Sequence, residues 1–326
     1  MPKSDIQEFL AKANEEFGDN TAIILDENKV LDVETIPTGI EVIDLAIGVG
    51  GIPRGRISEV FGNEGCGKTS LCLHVIAHAQ GMGLNTLFID AEHSLSPERM
   101  VAIGIDTSKL VISQPDSGER ALDLAEMAAR SGKFALIVID SVAALTPQVE
   151  IDKDMGDSVM GVHARLMSQA MRKLAAPLSR SKTALLFTNQ TRAKIGGYGA
   201  AETTTGGNAL KFYASLRMRM QFTGKIENTA GERISGKYKM TVVKNKLAVP
   251  FKSAEFEINQ NGIDDSNFIV QQLLDAGVLE KAGSFIKLDG NVLAQGARVA
   301  AQKIHDDKEL KTKLVELLHK KKTQPA

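Results

Sequence analysis

The chain has few cysteines and no long apolar run. Its 326 residues include two cysteines, Cys66 and Cys72, which indicate neither a disulfide framework nor a metal cluster. No apolar run approaches the roughly 18 residues that a membrane span needs. The start, Met1 to Asp5, leads into no apolar signal-peptide stretch. We therefore predict a cytoplasmic protein without a membrane partner.

A strong net charge is also absent, but the net charge of −1 hides an uneven distribution of charge along the chain. Between Gly161 and Arg219 the chain carries ten lysines or arginines against one acid, Glu202. Such a run is usually a solvated face. Here it brackets two glycine-rich loops, which favours binding of a phosphate backbone.

One segment does carry a specific motif, because residues 62–69 fit the pattern G-x-x-x-x-G-K-[ST] at every specified position. A predicted strand at 57–61 precedes the motif and a predicted helix at 70–77 follows it. The backbone N–H groups and the helix N-terminus would hold phosphates, Lys68 would reach the outer phosphates, and Thr69 would offer a hydroxyl to Mg²⁺. The predicted ATP-binding residues are Gly62, Asn63, Glu64, Gly65, Cys66, Gly67, Lys68, Thr69, Ser70, Arg99 and Asp140.

Strands and helices alternate after this motif. Predicted strands lie at 86–89, 110–112, 134–139 and 183–187, and predicted helices at 97–103, 119–130 and 163–178. This order predicts an α/β fold with a mostly parallel twisted sheet flanked by helices. Beyond Gly207, Leu216, Met218, Met220 and Phe222 alternate with polar residues. That alternation predicts half-buried antiparallel strands that extend the sheet.

Three domains are expected along the chain. Residues 1–33 form a small N-terminal element, with a helix through Ile6, Phe9 and Leu10 and a strand at 21–25. Residues 34–263 form the core with the phosphate-binding motif. Residues 264–326 form a small C-terminal α+β domain, mostly helical.

Polar side chains at three strand ends point to hydrolysis. Asp140 ends an apolar strand, the position of the carboxylate that holds Mg²⁺ near Thr69. Asp90 and Glu92 follow the neighbouring strand, at the sheet edge where ligands bind in open α/β folds. Glu92 is the candidate general base, with Asp90 as the alternative. Gln190 also ends a strand, where its amide would bond a γ-phosphate, although such a glutamine is more often structural.

Five strings in the sequence resemble the bacterial-type RecA recombinases. They are FIDAEH at 88–93, DSVAALTP at 140–147, MSQAMRKL at 167–174, ETTTGGNALKFY at 202–213 and VKNK at 243–246. The resemblance runs from about Val33 to Gly262 and implies a RecA-type P-loop ATPase core. It further implies a DNA-dependent ATPase that forms helical filaments on single-stranded DNA and catalyses homologous pairing and strand exchange. The implied partners are single-stranded DNA, homologous duplex DNA, copies of the chain joined through residues 1–33, and an SOS-type repressor.

The resemblance also implies catalytic roles for residues that match the family. Glu92 would be the general base, Lys68 would contact phosphate, and Gln190 would switch between nucleotide and DNA. Lys244 and Lys246 would reach the ATP of a neighbouring subunit, and otherwise they are exposed lysines of an edge strand. Arg99 stands where relatives place an aromatic ring on adenine, and its guanidinium plane would stack there instead.

DNA contacts are implied for two loops, at about 152–165 and 191–205. Met160 and Ile195 would wedge between bases of a stretched strand. The predicted DNA-binding residues are Met160, Arg165, Arg172, Arg192, Lys194, Ile195, Thr204, Gly206 and Gly207.

Two other functions fit parts of the sequence. A RecA-fold helicase or other DNA motor would share the motif and sheet, but it would need a primase-binding or zinc-bearing extension that this sequence lacks. A non-catalytic paralogue would only scaffold a recombinase. The presence of Lys68, Glu92, Asp140 and Gln190 argues against a non-catalytic protein.

Overall fold

The structure is a computed structural model that describes residues 3–18, 22, 33–154, 161–193, 202–228 and 230–323. The chain divides into two compact units, Met1–Glu34 and Thr35–Ala326. The first unit contains helix α1 (Lys3–Phe17), as predicted. The strand predicted at 21–25 lies outside the described residues apart from Ala22.

The second unit alternates strands and helices in the order that the sequence predicts. Its strands are β1 (Thr35–Ile36), β2 (Ile52–Pro53), β3 (Ile57–Gly62), β4 (Thr86–Asp90), β5 (Leu110–Ser113), β6 (Leu136–Asp140), β7 (Ala184–Ala193), β8 (Glu202–Thr204), β9 (Leu216–Glu227), β10 (Arg233–Asn245), β11 (Ser253–Asn259), β12 (Gly262–Asp264), β13 (Leu279–Ala282), β14 (Phe285–Leu288) and β15 (Asn291–Gln295). Its helices are α2 (Glu41–Ile47), α3 (Lys68–Gly81), α4 (Pro97–Ile103), α5 (Gly118–Ser131), α6 (Gln148–Ile151), α7 (Val162–Ser181), α8 (Ala209–Tyr213), α9 (Ser266–Asp275), α10 (Ala297–Asp306) and α11 (Lys308–Thr323).

A large mixed sheet organises the unit, in the order β12-β11-β10-β9-β3-β7-β6-β4-β5. The six strands from β9 to β5 run parallel to their neighbours, and β10 to β12 continue the sheet antiparallel. Because helices cover both faces, β3, β4 and β6 are buried along their whole length. The predicted fold class is confirmed.

Alternate residues of β6 show the two layers of helices. Leu136 and Val138 belong to a core with α2 and α3, whereas Ile137 and Ile139 belong to a second core with α5 and α7. Local signals set the helix ends. The Ser117 hydroxyl accepts a hydrogen bond from the backbone N–H of Arg120 at the start of α5.

One prediction about the sheet is wrong in detail. Strand β9 pairs antiparallel with β10, as predicted, but parallel with β3 on its other side. Phe222, predicted on the buried face, is 42% exposed. Its ring meets Tyr238 edge-on at 5.4 Å. Strand β3 ends opposite Met220, so the outer half of β9 extends beyond the packed sheet.

The C-terminal part has the predicted α+β composition. It combines α9, α10 and α11 with an antiparallel sheet in the order β13-β14-β15. Leu314 and Leu318 of α11 are fully buried. The domain boundary at residue 264 remains a prediction. In the described part of the chain, no helix is both long enough and apolar enough to cross a membrane.

Candidate nucleotide site and DNA interface

The phosphate-binding motif forms a tight loop between β3 and α3. Gly65 and Gly67 adopt φ angles of 68° and 88°, which favour glycine. Gly67 also packs against Ile258, whose side chain would collide with a Cβ atom at that position. The loop therefore keeps its backbone close to the space that a phosphate would fill.

Lys68 points into this loop and is buried. Its Nζ donates to the carbonyl oxygens of Asn63 at 2.9 Å and Gly62 at 3.3 Å. The same Nζ lies 3.9 Å from Cys66 Sγ. An ammonium group held by neutral carbonyls is suited to exchange them for anionic phosphate oxygens.

Thr69 and Asp140 meet at the first turn of α3. Thr69 Oγ1 donates to Asp140 Oδ2 at 2.6 Å, and Thr188 Oγ1 donates to Oδ1. Burial raises the pKa of Asp140, while the two hydroxyl groups oppose this effect. A hydroxyl and a carboxylate are the hard oxygen ligands that Mg²⁺ prefers. No group of three or more His, Cys, Asp or Glu side chains suited to a metal occurs among the described residues.

Glu92 and Asp90, the two candidates for the general base, differ in exposure and in hydrogen-bond partners. Asp90 is fully buried, and its oxygens accept from Ser94 N at 3.3 Å and Gln114 Nε2 at 3.0 Å. Glu92 lies exposed beside the phosphate loop. Its Oε1 accepts from the Ser141 hydroxyl and, at 3.3 Å, from Gln190 Nε2. The geometry thus favours Glu92 over Asp90, which the sequence left open.

These groups line a pocket of about 370 Å³. Its lining is Glu64, Gly65, Gly67, Lys68, Thr69, Ser70, Glu92, Ser94, Arg99, Asp140, Gln190, Tyr238 and Ile258. Arg99 Nη2 donates to Ser70 Oγ at 2.8 Å, which places the guanidinium at the pocket wall. Three residues of this lining were not predicted from the sequence: Ser94, Tyr238 and Ile258. Tyr238 and Ile258 reach the pocket from β10 and β11 and carry no signal beyond strand alternation.

Lys244 and Lys246 are absent from the lining of this pocket. Lys244 Nζ donates to the carbonyl oxygens of Lys211 at 2.6 Å and Phe212 at 3.0 Å. Lys246 Nζ donates to the Phe212 oxygen at 3.2 Å. Burial lowers the pKa of Lys244, and the charges of Lys246 and Arg217 add to this shift. Both ammonium groups therefore sit at the C-terminal end of α8.

The described members of the predicted DNA-binding set lie on α7, on the β7–β8 pair and directly after β8. Arg165 and Arg172 are exposed on α7, Arg192 is exposed on β7, and Thr204 is buried on β8. Met160, Lys194 and Ile195 lie outside the described residues.

Both loop boundaries predicted from sequence are wrong at their ends. Helix α7 already begins at Val162, and β7 pairs with β8 through Thr191↔Thr204 and Arg192↔Thr203. The start of helix α7 shortens the first loop, and the backbone pairing of β7 with β8 shortens the second.

Gly206 and Gly207 follow β8 with φ angles of 81° and 75°. A Cβ on Gly206 would lie 2.9 Å from Val142 Cγ1, and one on Gly207 would lie 2.9 Å from Ala164 Cβ. The glycines thus hold this segment tightly against α7. Next to them lies a cavity of about 390 Å³, lined by Ala143, Leu145, Thr146, Pro147, Glu150, His163, Arg192, Thr205 and Gly206.

A strand, a phosphate loop and a helix, with a carboxylate at the end of a neighbouring strand, define a P-loop nucleoside triphosphatase. The family model for the RecA N-terminal domain matches residues 4–264. Protein RecA of Thermus aquaticus is 47% identical, covering 94% of this chain and 91% of the relative. Protein RecA of Bifidobacterium breve is 45% identical, covering 94% and 78%, and that of Colwellia psychrerythraea is 46% identical, covering 92% and 88%.

The chain therefore belongs to the RecA family of recombinases, which are DNA-dependent ATPases of DNA recombination and repair. Nothing in these comparisons favours a helicase or another DNA motor.

Proposed function

We propose that the pocket beside the phosphate loop binds ATP with Mg²⁺ and hydrolyses it when DNA is bound. The residues present fit both groups. Lys68 and the N-terminus of α3 would hold the phosphates, and Thr69 and Asp140 would hold the metal ion. Mg²⁺ would supply charge stabilisation of the transferring phosphoryl group.

Glu92 is proposed as the general base and Gln190 as the γ-phosphate sensor. Glu92 would accept the proton of the attacking water, and the Ser141 hydroxyl would orient its carboxylate. Gln190 contacts the same Oε1 atom, so a change in the position of its amide would alter the base directly. This shared contact on Glu92 is the observation that carries the proposal.

The proposed DNA interface combines Arg165, Arg172 and Arg192 with the segment from Thr204 to Gly207. The exposed guanidinium groups suit contacts to DNA phosphates. Met160, Lys194 and Ile195 remain predicted members of the interface. Single-stranded DNA is the proposed first ligand and homologous duplex DNA the second.

We propose that copies of the chain assemble into a helical filament in which Lys244 and Lys246 act on the ATP of the neighbouring copy. Their absence from this chain's own pocket is compatible with that role, and a lysine near transferring phosphates would stabilise charge as arginine fingers do. Residues 1–33 are the proposed polymerisation element. A cytoplasmic location and an SOS-type repressor as a partner are proposed from family membership alone.

The test of the base is Glu92→Gln, with ATP hydrolysis measured on single-stranded DNA. The variant keeps an acceptor for Ser141 but cannot take a proton, so we expect binding of ATP and DNA to persist while turnover falls by about 10² to 10⁴. Glu309→Gln, on the exposed face of α11, is the matched control and should hydrolyse ATP normally. Turnover of Glu92→Gln near the level of the control would assign the base to another residue.

A further inference from the structure

Asn189 has every hydrogen-bonding capacity of its side chain filled. Its Nδ2 donates to Glu59 Oε1 at 2.9 Å and to the Thr205 carbonyl oxygen at 3.1 Å. Its Oδ1 accepts from Gln190 N at 2.9 Å and from Thr205 Oγ1 at 2.5 Å. An amide offers two donors and two acceptor sites, so this completely buried side chain is fixed in one orientation.

Glu59 holds one side of this amide. Its side chain on β3 is completely buried, and its Oε2 accepts from Arg217 Nε at 2.5 Å. The Arg217 guanidinium also lies 4.6 Å over the ring of Phe61, the residue before the phosphate loop. A buried carboxylate needs such a partner, because removal of either charge leaves the other unpaired in the protein interior.

The Asn189 cluster, defined as Glu59, Asn189, Thr205 and Arg217, connects two sites. On the nucleotide side, Asn189 bonds the backbone N–H of Gln190, whose side chain contacts Glu92. On the DNA side, Thr205 directly precedes Gly206 and Gly207. A second contact, from Thr205 N to the Gln190 carbonyl oxygen at 3.4 Å, joins the same two segments.

We propose that Asn189 is a positioning residue that couples DNA contact at the segment from Thr205 to Gly207 to the placement of Gln190. The inference rests on the proposed roles of Gln190 and of this DNA segment. Displacement of Thr205 would move both of the groups, its hydroxyl and its carbonyl, that hydrogen-bond to the Asn189 amide. Glu59 anchors the same amide. Rotation of the Asn189 amide about this contact would therefore change its hydrogen bond to the Gln190 N–H and shift the Gln190 side chain.

The tight packing of Gly206 and Gly207 suits this transmission. A Cβ atom on either glycine would collide with Val142 or Ala164, so little free space separates the segment from its surroundings. Val142 directly follows Ser141, whose hydroxyl donates a hydrogen bond to Glu92. DNA contact at this segment is thus linked to the base from two directions, through Gln190 and through Ser141.

The test compares basal and DNA-stimulated ATP hydrolysis in Asn189→Asp. This variant keeps the shape of the side chain, removes both Nδ2 donors and places a carboxylate against Glu59, so urea unfolding first establishes that it folds. We expect basal hydrolysis and ATP affinity to change by less than about threefold, while the stimulation by DNA falls by about 5- to 150-fold, the usual range of coupling between sites. Asn85→Asp is the matched control, since Asn85 is exposed and bonds one carbonyl oxygen, that of Lys133.

A double-mutant cycle gives a second test that places no charge in the buried cluster. Thr205→Val removes the hydroxyl bonded to Asn189 Oδ1, and Asn189→Ala removes the amide. If the cluster transmits the signal, the two changes should reduce DNA stimulation non-additively. Additive effects, or equal losses of basal and stimulated hydrolysis, would reduce the cluster to a structural role and overturn the inference.

Gln190→Ala separates this inference from the function on which it rests. If Gln190→Ala retains full DNA stimulation, the proposed sensor role itself is wrong. If Gln190→Ala loses stimulation while Asn189→Asp and Thr205→Val keep it, only the role of the Asn189 cluster is wrong. The expected result is loss of DNA stimulation in all three variants, with basal hydrolysis retained in Asn189→Asp.

Discussion

His74 makes the stability of the nucleotide-binding helix α3 depend on pH. Its Nε2 accepts a hydrogen bond from the backbone N–H of Ile263 at 2.8 Å, which requires that nitrogen to be unprotonated. Burial lowers the pKa of His74 to about 4, and the charges of Arg99 and Lys311 add to the shift. Protonation would break the bond that ties α3 to β12 and leave a buried charge.

The sign and size of the effect follow from the two pKa values. The unfolded chain has the ordinary value of 6.5, whereas the folded chain has about 4. The contribution of His74 to stability is therefore fully present above pH 6.5 and is lost as the pH falls towards 4. Between pH 8 and pH 5, linkage gives a loss of about 2 kcal/mol in the free energy of unfolding.

His74→Gln is the appropriate variant, because the glutamine carbonyl can still accept from Ile263 but does not titrate. Urea unfolding at pH 8 and pH 5 should show the variant gaining about 2 kcal/mol relative to the parent chain on going to pH 5. Asp44 also titrates in this range, because burial raises its pKa to about 8. Its effect on stability is present in both the parent chain and the variant, so it cancels in the comparison. His93→Gln, at an exposed position, is the control. A difference between parent and variant that is the same at both pH values would refute the reasoning.

Further predictions concern DNA and the subunit interface. Affinity for single-stranded DNA should fall log-linearly with salt, with a slope of about −0.7 per neutralised phosphate. Arg192→Ala should make this slope shallower. An unchanged slope would mean that the basic stretch is only a solvated surface. Lys68→Ala and the double variant Lys244→Ala/Lys246→Ala should each lack most DNA-stimulated hydrolysis, but mixed filaments should regain turnover where an intact loop meets intact lysines. Co-sedimentation would first show that the filaments are mixed. Turnover no higher than the sum of the two variants alone would then contradict the action of Lys244 and Lys246 on a neighbouring copy.

Sequence patterns predicted the parts of the fold that depend on neighbouring residues. The phosphate loop and the bounds of α4 agree closely because their signals are local: glycines with positive φ, and a proline at the start of the helix. Asp140 lies at the end of β6, as a polar residue after a buried run predicts. The local structure at the start of α3 was accordingly predictable from the sequence.

Contacts between distant segments were not predictable in this way. Tyr238 and Ile258 reach the pocket only because β10 and β11 extend the sheet past the phosphate loop. The pairing of β7 with β8 and the bond between Asn189 and Glu59, which are 130 residues apart, depend on tertiary structure. The choice between Asp90 and Glu92 likewise needed their hydrogen-bond partners.

Homologous strand exchange tests the central claim most directly. Purified chain would be mixed with single-stranded DNA, ATP and Mg²⁺, and a labelled duplex of matching or unrelated sequence would follow. The account predicts exchange with the matching duplex alone, dependent on ATP and abolished by Lys68→Ala. Release of the labelled strand from both duplexes alike, or unwinding without added single-stranded DNA, would contradict a recombinase and indicate a helicase-like motor.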